Sequence, residues 1–156
     1  MAISSRQAID DFLASKRIAI AGVGRNPSDF SRSLFRDLQS RGYDIVPVNP
    51  NAEEIEGQRC YQRVSDIQPP VDAALLFTKG PATDEVVKDC AAAGVKRVWM
   101  YRAQGNGALT QTAVNFCLEN GITLVPGECV YMFLPQSGWV HSFHGFIKKA
   151  VGSYPR

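Results

Sequence analysis

The chain repeats one pattern three times, and that repeat restricts its architecture more than any other feature. RGYDIVPV (41–48), AGVKRVWMY (93–101) and NGITLVPG (120–127) each place a glycine and a short polar break before a β-rich apolar run. Ahead of each glycine, apolar residues recur at helical spacing. They are Leu34, Phe35 and Leu38 in the first unit, Val86, Val87, Cys90 and Ala91 in the second, and Leu109, Ala113, Phe116 and Cys117 in the third. Apolar residues at i, i+3 and i+4 form one buried face of a helix. A glycine just beyond supplies the left-handed residue at which helices commonly stop. The chain therefore reads as helix, glycine, strand, three times over.

Two further apolar runs, RIAIAG (17–22) and VDAALLF (71–77), complete a set of five strands. All five are continuous rather than alternating, as in strands buried on both faces of a parallel sheet. Strands alternating with helices imply an α/β domain, and right-handed crossovers leave few topologies. The expectation is a three-layer, Rossmann-like, doubly wound parallel five-stranded sheet of order 3-2-1-4-5, preceded by a helix over residues 4 to 15. A length of 156 residues suits a single domain, 1–156. Its C-terminal extension, 127–156, carries Tyr131, Phe133, Trp139, Phe143, Phe146 and Tyr154. That extension caps a sheet edge, or else forms a subunit interface, a protein-partner surface or a lid.

Seventeen basic residues against fifteen acidic ones give a formal charge of +2, too balanced for nucleic acid to be the main partner. The opening MAISSRQAIDDFLASK lacks the apolar core of a signal peptide. No apolar run reaches the length of a membrane span. A soluble, cytoplasmic protein is expected. Cys60, Cys90, Cys117 and Cys129 are widely spaced, which fits reduced thiols better than a disulfide frame or a zinc site.

Open parallel sheets bind ligands beyond the carboxyl ends of their strands, where the strand order reverses. The loops there are GVGRNPSDFS, NPNAEE, TKGPA, RAQGNG and GECVY. In the first, Gly22 and Gly24 let backbone approach a ligand. A helix starts near Ser31, a good N-cap residue, and a helix start favours phosphate. Arg25 and Arg32 add positive charge. The plainer alternative is a tight turn that binds nothing; phosphate binding is the favoured reading. A dinucleotide turn needs a third glycine where Pro27 stands, and an acid at the end of the second strand where Asn49 stands. No G-x-x-x-x-G-K-[ST] loop occurs either.

IAIAGVGRNPSDFS, the helix ending in L-x-x-x-GY, PVNPNAEEIEGQRCY, VDAALLF, GVKRVWMY and the GEC after the fifth strand carry a specific resemblance. Over residues 15 to 130 the chain resembles the small stand-alone CoA-binding proteins, whose fold is that of the N-terminal domain of the succinyl-CoA synthetase alpha subunit. The resemblance implies coenzyme A, or an acyl-CoA, as the bound molecule. It implies that Gly22, Val23, Gly24 and the start of the first crossover helix hold the pyrophosphate, with Arg25, Ser28, Ser31 and Arg32 as polar contacts. Val48, Asn49 and Pro50 would border the adenosine, and Phe77, Thr78, Lys79 and Pro81 would line the other side. Where these relatives often have Trp-x-Gln, this chain has Trp99-Met100-Tyr101.

The synthetase's phosphate-carrying histidine lies in another domain, so that step does not carry over to His141 or His144. Those two histidines lack a third ligand at metal-binding spacing. Cys129 lies near the crevice and could meet the CoA thiol in a mixed disulfide, although nothing near it in sequence lowers its pKa. Glu53, Glu54 and Glu128 read as solvated acids. No set of nucleophile, base and orienting group assembles. The chain is expected to bind CoA or an acyl-CoA without catalysis of its own, as a carrier, sensor or partner subunit, alone or as a homo-oligomer. The alternative is a nucleotide-dependent oxidoreductase or a small acyl-CoA-using transferase in the same crevice, working through Tyr101, Cys129 or a tail residue.

Overall fold

The computed structural model describes residues 6–101 and 107–127. Helix α1 (Arg6–Leu13) leads into strand β1 (Arg17–Ala21), followed by α2 (Phe30–Ser40) and β2 (Asp44–Val48). A small hairpin, β3 (Glu54–Ile55) and β4 (Gln58–Arg59), precedes a single 3-10 turn at Val64–Asp66. Then come β5 (Ala73–Leu76), α3 (Pro81–Ala92), β6 (Arg97–Met100), α4 (Gln111–Glu119) and β7 (Thr123–Pro126).

Five strands form one parallel sheet in the order β2-β1-β5-β6-β7. Their side chains alternate between two cores. Ile18, Ile20, Ile45, Leu75 and Trp99 pack with α1 and α2 through Ile9, Phe12, Leu34, Phe35 and Leu38. Ala19, Ala21, Val46, Val48, Leu76, Val98 and Met100 pack with α3 and α4 through Val87, Cys90, Ala113 and Cys117. Helices therefore cover both faces, which is why the strands read as unbroken apolar runs. The three-layer, doubly wound architecture matches the sequence expectation.

The position of one strand corrects it. Counting only the sheet strands in chain order, the arrangement is 2-1-3-4-5: the third lies between the first and fourth, not outside the second as in 3-2-1-4-5. The connection after β2 explains the difference. Tyr61 pairs with the outer edge of β2, its N–H donating to Pro47 O at 3.0 Å while Asn49 N–H donates to Tyr61 O at 2.9 Å. The chain then crosses to the α3 face, where Val64, Ile67 and Val71 join that core. With the β2 edge taken, β5 adds on the other side of β1, in register Ile18 with Ala73 through Ala21 with Leu76. In both arrangements the order reverses beside β1.

The three glycine stops are present. Gly42, Gly94 and Gly121 have φ of +97°, +79° and +69°, immediately after the last residues capping α2, α3 and α4. Two boundaries differ from expectation. Leu109 precedes α4, whose N-cap is Thr110, with the hydroxyl accepting from Ala113 N–H at 3.0 Å. The cap of α2 is Asp29, so Ser31 lies inside the helix. The expected leading helix is Arg6–Leu13 within the described residues. The tail beyond Gly127, including Glu128, Cys129, His141 and His144, lies outside them, as does the centre of the loop after Tyr101.

Candidate functional site

β1 and β5 are adjacent and lead out in opposite senses, to β2 on one side and β6 on the other, so the crevice of this fold lies beyond their carboxyl ends. Gly22 closes its floor. Its φ is +81°, and its N–H continues the ladder by donating to Val48 O at 3.0 Å. A Cβ there would come within 2.9 Å of Thr78 N and 3.0 Å of Phe77 C. The loop after β1 is thus pressed against the loop after β5, bringing Gly22, Val23 and Gly24 together with Phe77 and Thr78.

Asn49 ties in the end of β2. Its Nδ2 donates to Val23 O at 2.8 Å, and its Oδ1 accepts from Asn51 N–H at 2.7 Å. An acid at this position would lack the donor that the Val23 carbonyl requires. The side chains of Val48 and Val23 are buried in the two cores, so these residues offer backbone rather than side chain to the crevice, while Pro50 is exposed. Thr78 shares a hydroxyl hydrogen bond of 2.7 Å with buried Thr83 of α3. Lys79 and Pro81, the first residue of α3, are exposed on the same rim.

The polar residues of the first loop divide into two groups. Arg25 and Ser28 are exposed, the Ser28 N–H and hydroxyl both donating to Asn26 Oδ1 at 3.0 and 2.9 Å. Ser31 and Arg32 are buried and engaged within the protein. The Ser31 hydroxyl accepts from Gly24 N–H at 2.8 Å. Arg32 donates through Nε and Nη2 to Glu56 Oε2 at 3.0 and 2.6 Å, and through Nη1 to the carbonyls of Gly24 and Arg25 at 3.3 and 3.0 Å. A guanidinium so occupied works as an internal brace.

Glu56 is the residue that the sequence reading missed. It sits with Gly57 at the tip of the β3–β4 hairpin, both at positive φ (+51° and +75°), the geometry of a two-residue hairpin turn. Its Oε2 also accepts from Arg36 Nη1 at 2.9 Å, and Arg36 Nη2 reaches Pro27 O at 3.2 Å. Hydrogen bonds from Arg32, and further ones from Arg36, hold the Glu56 carboxyl below its usual range against the opposing effect of burial. Pairing across so many intervening residues leaves no local signal; the two arginines on one face of α2 were the available hint.

An aromatic cluster borders the same strand ends. Phe30, the first residue of α2, stacks on Tyr101 at 5.2 Å and 22°, and Phe77 lies 4.7 Å from Tyr101. Phe30 is one of the two large apolar side chains exposed among the described residues. Sequence reading named Phe77 and Tyr101 but not Phe30.

The crevice suits a phosphate-bearing ligand. The N-terminus of α2 points there, and Arg25 and Lys79 stand exposed on the rim. A Cβ on Gly24 would overlap the Asp29 carboxylate, so Asp29 fills the space beside that glycine.

Residues 16–135 match the CoA binding domain family. The chain belongs to that family. Coenzyme A is accordingly its cofactor, and the succinyl-CoA synthetase-like resemblance holds over nearly the span that carried it. An uncharacterized protein of Bacillus subtilis, YneT, is 26% identical over 116 residues, covering 74% of this chain and 83% of that one. The ADP-forming acetate–CoA ligase II of Archaeoglobus fulgidus is 32% identical over 141 residues, 85% of this chain. This chain spans only 21% of that ligase. Among solved structures, a hypothetical protein from Pyrococcus horikoshii OT3 superposes with a TM-score of 0.74 at 28% identity, covering 84% of this chain and 89% of that one. Within the described residues, no helix is long and apolar enough to cross a membrane.

Proposed function

We propose that the chain acts as a single CoA-binding domain that holds coenzyme A or an acyl-CoA across the β1–β5 crevice and performs no chemistry of its own. It serves as a carrier, a sensor or the partner of a catalytic subunit. The observation that carries this reading is the contact of Gly22 with Thr78, which joins two strand-end loops at the point where the sheet order reverses. In this arrangement the pyrophosphate lies along Gly22, Val23 and Gly24 near the start of α2, with Arg25, Ser28 and Lys79 facing it. The adenosine lies beside Asn49 and Pro50, and Phe77, Thr78 and Pro81 form the opposite wall.

Ser31 and Arg32 take a different part from the one first expected. Their side chains are buried and bonded to the loop, so they shape the cradle rather than touch the ligand. The ligase activity of the longer relatives belongs to chains of which this one matches a fifth, and it is not part of the reading.

Calorimetry with CoA, dephospho-CoA, NAD and ATP tests it. CoA is expected to bind, and Arg25→Ala to weaken binding by about 1.5–3 kcal/mol if the arginine bonds a phosphate directly. No binding of CoA at millimolar concentration, alongside clear binding of NAD, would overturn it. The enzymatic alternative has one supporting feature, the Tyr101 phenol at the strand ends against Phe30 and Phe77. Turnover of an acyl-CoA that Tyr101→Phe abolishes would favour it.

A further inference from the structure

The brace around Arg32 has a direct consequence for the backbone of the first loop. In a planar trans peptide the carbonyl of one residue and the N–H of the next point in opposite directions. Arg32 Nη1 draws in the carbonyls of Gly24 and Arg25, and Arg36 Nη2 draws in that of Pro27. The N–H groups of Arg25, Asn26 and Ser28 must then face away from the two guanidiniums. Ser28 N–H is used by Asn26 Oδ1. Arg25 and Asn26 therefore present two consecutive N–H groups from the exposed part of the loop, an arrangement that receives an anionic oxygen.

The guanidiniums are held in turn. Two positive groups on successive turns of α2 repel one another, and both close on the single oxygen Glu56 Oε2, at 2.6 and 2.9 Å. The carboxylate supplies the charge that lets both approach, and it comes from the tip of the hairpin rather than from α2. Arg32 is 8% exposed, so without that partner its charge is buried beside carbonyls alone.

We propose that Glu56 is a positioning residue for the phosphate loop. Acting through Arg32 and Arg36, it sets the peptide planes of residues 24–28 so that the Arg25 and Asn26 N–H groups donate to the ligand's phosphate. This rests on the CoA reading above. It assigns the hairpin to the ligand site although Glu56 touches no ligand atom.

The test uses the intact chain and three variants: Glu56→Gln, Arg32→Lys and the two combined. In unliganded Glu56→Gln, the backbone amide resonances of Arg25 and Asn26 are expected to move, with core amides of β1 and β5 unchanged. CoA affinity is expected to fall about tenfold, equivalent to ~1.4 kcal/mol. Arg32→Lys, which keeps the charge but loses the fork, should weaken binding similarly, and the double variant should be no worse than either single one, because all three interrupt the same brace. Unchanged amide resonances in both single variants, or CoA affinity unchanged or improved in Glu56→Gln, overturns the proposal. If the unmodified chain fails to bind CoA, the function reading falls, while the amide measurement still decides whether Glu56 sets the loop.

Discussion

Replacing Gly22 by alanine tests the central contact of the crevice, and Gly94 supplies a matched control. Both glycines have nearly the same positive φ, +81° and +79°. An L-residue there costs roughly 1–2 kcal/mol, offset by about 0.4–1 kcal/mol because alanine reduces the freedom of the unfolded chain. For Gly94→Ala nothing else enters, since no atom lies within 4 Å of the added Cβ. Its net cost should be ~1 kcal/mol. For Gly22→Ala the Cβ meets Thr78 N at 2.9 Å and Phe77 C at 3.0 Å, both backbone atoms just past β5, where Phe77 N–H donates to Ala21 O at 2.8 Å. Overpacking of this kind adds about 1–3 kcal/mol. The difference between the two variants is therefore the steric part alone. Urea titrations followed by far-ultraviolet circular dichroism give both free energies, with equal m-values as the check on two-state behaviour. In thermal melts Gly22→Ala should lose several degrees more than Gly94→Ala, at about 2–4 °C per kcal/mol for a chain of this size. Equal losses would refute the reasoning, because the loop after β1 would then not be pressed on Thr78.

Two more outcomes follow from particular contacts. Burial pushes the Cys117 thiol up to about 12, and burial raises those of Cys90 and Cys60 as well. In a Cys129→Ser background at pH 8, a thiol-specific disulfide reagent should therefore release its chromophore only after denaturant is added. Prompt reaction of Cys90 or Cys117 in the native protein would contradict the packing of α3 and α4. Thr110→Ala removes both the cap of Ala113 N–H and the hydrogen bond from the Thr110 hydroxyl to Asp84, and should cost about 1 kcal/mol by urea titration. Thr110→Ser should retain most of that stability, and a serine variant as weak as the alanine one would show that the cap contributes nothing.

The parts of the fold legible in the sequence are those set by local chemistry. Gly42, Gly94 and Gly121 mark three helix ends because each needs a positive φ, and the unbroken apolar runs mark strands because helices cover both sheet faces. The floor of the crevice was legible for the same reason, since Gly22 and the strand ends follow from the repeat. The strand order was not. Alternating strands and helices satisfy either arrangement, and the choice lay in Tyr61 pairing through backbone atoms with β2, which no side-chain pattern announces. The role of Arg32 was hidden differently. An arginine beside a glycine loop reads as a phosphate ligand until its partner is known, and Glu56 reaches it only because the hairpin folds over α2. Ser31 looked like a cap because its residue type fits one, whereas Asp29 holds the extended backbone that a cap requires.

Helix α1 is the first element of the described chain, yet it docks on β6 and β7, with Phe12 edge-on to Trp99 at 5.2 Å. During synthesis its apolar face has no seat until Trp99 has left the ribosome. Until then, α2 and the strands it joins can pair locally, while Ile9 and Phe12 remain open to water. This described helix thus closes over the sheet only once Trp99 has been made, and the burial of Trp99 beside Phe12 gives that closing step an intrinsic fluorescent reporter.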